Sequence, residues 1–115
     1  MPAFQRARLA PGEMTTLSDA PPICLSNIDQ LSLTTECTYS RNTKPPLLIH
    51  VRSSYDGFNY DTADLYTLTE DLEPGQLPRK TFTMNTKVNF IAILTENIDE
   101  SESVSHILIT ATLGG

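Results

Sequence analysis

Residues 31–39 read Leu31-Ser32-Leu33-Thr34-Thr35-Glu36-Cys37-Thr38-Tyr39. Leu31, Leu33, Thr35, Cys37 and Tyr39 alternate with Ser32, Thr34, Glu36 and Thr38. Successive side chains of a strand point to opposite faces, so a period of two marks a half-buried β-strand. The same period recurs further on. Leu47, Ile49, Val51 and Ser53 alternate with Leu48, His50, Arg52 and Ser54. Val88, Phe90, Ala92 and Leu94 alternate with Asn89, Ile91, Ile93 and Thr95, and Ile107, Ile109, Ala111 and Leu113 with His106, Leu108, Thr110 and Thr112. No stretch of about 12 residues carries apolar side chains at i, i+3, i+4, i+7 behind a capping residue. Abundant Thr points the same way, because β-branched side chains fit a pleated surface.

Shorter segments fill the gaps. Pro22–Ser26, whose paired prolines suit an edge, Leu65–Thr69 and Arg79–Met84 read as strands, and Met14–Leu17 as a further one. Turn chemistry separates them at Asn42 to Pro46, Asp56-Gly57, Glu73-Pro74-Gly75 and Asn97 to Ser103. Seven to eight strands at this spacing predict an all-β fold, a single antiparallel β-sandwich of jelly-roll or immunoglobulin-like type. The chain has no Trp, which argues against an antibody-type domain. The expected core is Leu31, Leu33, Ile49, Val51, Phe90, Ala92, Ile107 and Ile109. Leu47–Val51 and Phe90–Leu94 are apolar on both faces, so a second layer, a loop or another subunit is expected over the outer one.

The 115 residues fit one domain, 1–115, with residues 1–13 as an extended N-terminal arm or a frayed end. Hydrophobic residues make up 39% and charged residues 19%, too apolar for a wholly disordered chain. No apolar run approaches the roughly 18 residues of a membrane helix, so no membrane partner is expected. A net charge of −6 repels phosphate backbones, which argues against nucleic acid. Met1 to Leu9 lacks the apolar segment of a Sec signal peptide. Cys24 and Cys37 sit in strand-like stretches and are expected as buried free thiols, with a bridge between adjacent strands as the alternative. With His50 and His106 they count to four zinc ligands but lack the paired short spacing of a zinc site. Both histidines read as strand residues facing solvent or an interface. The terminal Gly114-Gly115 resembles sulfur-carrier tails, but those folds wrap a sheet around a helix that this pattern lacks.

The stretch richest in chemistry is Ser53-Ser54-Tyr55-Asp56-Gly57-Phe58-Asn59-Tyr60-Asp61-Thr62-Ala63-Asp64. Asp56-Gly57 is a turn signal that requires φ > 0 at Gly57. Tyr55, Phe58, Tyr60 and the nearby Tyr66 are half of the aromatic residues of the chain. Together with Asp56, Asn59 and Asp61 they make a candidate binding surface. The residues suit aromatic anchors at a protein interface, or rings that stack sugars beside side chains that bond hydroxyls. Asp56, Asn59, Asp61 and Asp64 are also four oxygen donors close in sequence, an alternative calcium set whose spacing departs from the D-x-[DN]-x-[DN]-G loop. The bland alternative is a polar turn whose carboxylates cap backbone N–H groups. No nucleophile elbow, phosphate loop or H-E-x-x-H motif is present, so no catalytic residue and no cofactor are expected.

The segment Leu48 to Asp64 (LIHVRSSYDGFNYDTAD), the strand Val88–Leu94 and the following Glu96-Asn97-Ile98-Asp99 resemble patterns in small β-sandwich proteins of phage virions and their head or tail accessories. The resemblance covers about half of the chain. Similar turns occur in carbohydrate-binding sandwiches, so the resemblance implies a structural or binding role, and it brings over no catalytic residue. The resulting expectation is a non-enzymatic structural protein that self-assembles with copies of itself, or decorates a larger assembly beside other structural proteins. It would be found in the virion if phage-encoded and otherwise in the cytoplasm. A carbohydrate-binding module and an intracellular protein-binding accessory domain are the alternatives.

Overall fold

The computed structural model describes residues 2–26, 28–70, 78–85 and 87–114. Eight strands follow one another: β1 (Pro2–Leu9), β2 (Ile23–Cys24), β3 (Gln30–Tyr39), β4 (Leu48–Ser54), β5 (Tyr66–Thr69), β6 (Arg79–Asn85), β7 (Phe90–Glu96) and β8 (Val104–Gly114). They form two four-stranded sheets with the orders β1-β8-β3-β6 and β2-β7-β4-β5. All pairings are antiparallel. Every connection crosses to the other sheet except β4–β5, which is a hairpin. This is the double Greek key of a jelly roll, and it decides between the two expected sandwich types.

The alternation seen in the sequence sets the core. From β3, Leu31, Leu33, Cys37 and Tyr39 point inward, and Ile107, Ile109 and Ala111 join them from β8. Ile49 and Val51 of β4 and Ile91 and Ile93 of β7 face them from the second sheet. Thr35 is also buried, and its hydroxyl donates to the buried carboxylate of Glu70. The Tyr39 hydroxyl accepts from Leu47 N–H at 2.8 Å and donates to the Glu70 carbonyl at 3.1 Å, which ties two inter-sheet connections to the end of β3.

Several expectations change. The sequence period places Phe90 and Ala92 in the core, but β7 has the opposite phase. Ile91 and Ile93 enter the core, and Phe90 stays partly exposed. Both phases of β7 are apolar, so the period gives the strand but not its inward face. Ala92 and Leu94 are nonetheless buried, on the outer face, opposite Arg52 and His50 of β4. A 3-10 turn at Leu17–Asp19 packs beside β7, so of the second layer, loop or other subunit expected over the outer apolar face, a loop of the chain itself supplies part. Residues 2–9 are not a free arm. They form β1, hydrogen-bonded along β8, with Ala3, Phe4 and Leu9 buried. A register shift at Pro2/Phe4 breaks the alternation that would have revealed this strand. In place of a strand at Met14–Leu17 there is a single bridge from Met14 to Glu96.

Both cysteines are free. Cys37 is buried as expected, and burial pushes its thiol up to about 12. Cys24 is exposed instead, because Ile23 takes the inward position of β2. Hydrogen bonding to the Ser26 backbone lowers its thiol below the ordinary value. The expected turn at Glu73-Pro74-Gly75 and the terminal Gly115 lie outside the described residues. No helix among the described residues is long and apolar enough to cross a membrane.

Candidate functional site

The jelly-roll path sends the β1–β2, β3–β4 and β7–β8 connections to one end. Gly12 N–H donates to the Asp99 carbonyl at 2.9 Å there, and Lys44 N–H to the Asp99 carboxylate at 3.1 Å. The β2–β3, β4–β5 and β6–β7 connections gather at the other end. The aromatic turn is the β4–β5 connection and stands at this second end.

Local hydrogen bonds build the turn. Asp56 Oδ1 accepts from Asn59 N–H at 2.8 Å, from Phe58 N–H at 2.9 Å and from Ser54 Oγ at 2.9 Å. Its Oδ2 accepts from Asn59 Nδ2 at 2.6 Å. The N–H groups of Asn59 and Phe58 hold this carboxyl well below the usual carboxylate range. Gly57 has φ +82°, the conformation expected from Asp-Gly. A side chain there would meet the Phe90 ring at 3.4 Å, so the turn rests on the outer end of β7. Further on, Asp61 N–H donates to the Ser53 carbonyl at 3.0 Å, and Ser54 and Tyr60 form an antiparallel bridge.

This frame sorts the seven aromatic and polar candidates. Phe58 is 87% exposed and Tyr55 75% exposed, so two rings stand in water on a braced turn. Asp56 and Asn59 brace it. Tyr60 is half-buried, and its hydroxyl is buried with no hydrogen-bond partner among the described residues. Burial, with the charge of Asp56 second, raises its phenol above the ordinary value. Tyr66 turns inward from β5, packs against the core and donates to the Asn85 carbonyl at 3.4 Å. Asp61 flanks the turn and accepts from Ser53 Oγ at 3.1 Å.

The four candidate calcium donors divide between separate networks. Both carboxylate oxygens of Asp56 serve the turn. Asp64 lies toward the outer face of the second sheet. Its Oδ2 is 2.5 Å from His50 Nδ1 and accepts from Thr67 Oγ1 at 2.6 Å, and its Oδ1 accepts from Arg52 Nε at 3.1 Å. Burial acts to raise this carboxyl, but the bonds from Thr67, His50 and Arg52 outweigh it and hold the group at about 2. Among the described residues no three of His, Cys, Asp and Glu gather as a metal site would require.

Two features escaped sequence reading. The sequence predicts that His50 faces solvent or an interface. Instead it lies between two carboxylates, with Nε2 3.0 Å from Glu96, and its side chain is 12% exposed. Its partners are 14 and 46 residues away in the chain, beyond any local pattern. The second feature is a cleft of about 300 Å³ beside the turn, walled by Ser53, Ser54, Tyr55 and Asp61 on one side and Lys87, Val88 and Asn89 on the other. Only the crossing of β6–β7 to the same end brings those walls together. His106 lies apart on β8. It is exposed at φ +51°, where one extra residue bulges against β3. No protein-family model and no curated protein matches the chain.

Proposed function

We propose that this chain is a non-enzymatic structural protein that assembles with copies of itself, and that the Tyr55–Tyr60 turn is its docking element. The observation that carries the reading is the exposure of Phe58 and Tyr55 on a turn locked by Asp56. A buried aromatic side chain removes about 150–250 Å² from water. A braced turn has already lost the backbone freedom that docking would otherwise cost. Jelly rolls include viral capsid domains, which agrees with the virion-like pattern in the sequence. They include lectins as well, so the argument rests on the turn and not on the fold.

Light scattering behind size-exclusion chromatography tests this at micromolar concentration. Wild-type protein is expected to run as an oligomer. Phe58→Ala should remain folded, because Phe58 is 87% exposed, and should weaken assembly about thirtyfold or more if the ring is a hot spot. A wild-type monomer throughout the micromolar range refutes the proposal.

A further inference from the structure

We infer that the cleft beside the turn binds one uncharged sugar ring. Its two walls are held together before any ligand arrives. Asn89 Nδ2 donates to the Tyr55 carbonyl at 3.2 Å and joins the β6–β7 connection to the turn. Asp61 is fixed through its N–H on the Ser53 carbonyl and through Ser53 Oγ on Oδ2, which leaves Oδ1 as an available acceptor. Lys87 forms no ion pair among the described residues and supplies an ammonium donor.

The lining selects the ligand class. One carboxylate and one ammonium make the cleft neutral, so Asp61 disfavours a free anion and Lys87 a free cation. A net protein charge of −6 adds to the penalty on anions. A sugar hydroxyl both donates and accepts. One hydroxyl of a vicinal pair can donate to Asp61 while its neighbour accepts from Lys87. The exposed Tyr55 ring is an apolar platform for the C–H face of a pyranose. A volume of about 300 Å³ is at the lower end for ligand pockets and fits a single ring. The cleft opens to solvent, so a longer glycan can extend outward. The cleft shares Tyr55 with the docking turn but does not include Phe58, so Phe58→Ala perturbs docking without changing the cleft lining.

The test is saturation-transfer NMR with methyl glucoside, galactoside and mannoside, each as both anomers, at millimolar concentration. Saturation transfer to at least one of them is expected. Lys87→Met and Asp61→Asn should each weaken binding about tenfold or more, the effect of losing a charged hydrogen-bond partner. Asp61→Asn should also shift preference toward methyl glucuronide, because it leaves the ammonium unopposed. Phe58→Ala should bind the glycoside as wild type does, so a failure of docking and a failure of sugar binding are separable. If Asp61→Asn does not fold, Lys87→Met decides alone, since Lys87 is exposed and its loss spares the turn. Absence of transfer to every neutral glycoside overturns the inference. So does binding unchanged by Lys87→Met, or saturation by zwitterionic amino acids in place of glycosides.

Discussion

Asn97→Ala removes the side chain that ties the β1–β2 connection to the β7–β8 connection. Asn97 is 2% exposed. Its Nδ2 lies 3.2 Å from the carbonyls of Leu9 and Ala10 and 2.8 Å from that of Glu102, and its Oδ1 accepts from Asp99 N–H at 3.1 Å. An amide has two protons for these three carbonyls, so Leu9 and Ala10 share one, and the side chain makes the equivalent of three bonds. At about 1 kcal/mol net for each, with a further desolvation penalty where the orphaned group stays dry, the loss is about 3–4 kcal/mol. Water can reach the Ala10 and Glu102 contacts, which are only part-buried, and this lowers the bound to about 2 kcal/mol. For a domain of this size, 2–4 kcal/mol is a fall in melting temperature of roughly 8–16 °C. Urea unfolding should show a lower midpoint with an unchanged slope, and Asn42→Ala, an exposed turn substitution, should change neither. A loss below about 1 kcal/mol for Asn97→Ala would refute the reasoning, because it would mean that the three carbonyls find other donors.

The phase of β7 predicts that Ile93→Ala costs about 2–5 kcal/mol in urea unfolding, as a buried Ile should, and that Phe90→Ala costs clearly less. Thiol titration should label Cys24 in the native protein and Cys37 only after denaturation, in agreement with one exposed and one buried thiol. Asp64 and Asp99 have folded-state carboxyls at about 2, Asp99 chiefly through the N–H of Ser101 and then of Lys44. Both lie below the unfolded value of about 3.9, so their contribution to stability is present above about pH 4 and is lost as pH falls toward 2. Unfolding midpoints measured through that window should drop, and Asp64→Asn should flatten the drop.

What the sequence revealed depended on how far apart the interacting groups lie in the chain. The alternation in 31–39 and 107–113 came through because one face of β3 and of β8 is apolar and the other polar. In β7 both faces are apolar, so Ile91 and Phe90 looked equivalent until the sheet order placed Cys24 and Ser54 beside Phe90. The first strand was hidden because Phe4 and Leu9 fall on opposite parities of an irregular edge. The Asp56 turn was legible because its bonds span two or three residues. The pairing of His50 with Asp64 and Glu96, and the meeting of Tyr55 with Asn89, were not, because long-range topology brings those groups together. The Asn97-Ile98-Asp99 loop was recognised as polar, but its role in tying Leu9 and Ala10 to Glu102 appears only in three dimensions.

The docking turn is tested most directly by a photo-crosslinking phenylalanine analogue placed at position 58 in the purified protein at micromolar concentration, with the same analogue at the exposed position 42 as reference. The account predicts a covalent dimer of the chain from position 58, with the crosslink mapped to a discrete patch on the second copy, and at most trace product from position 42. Equal yields from the two positions, or no dimer from position 58, would contradict it.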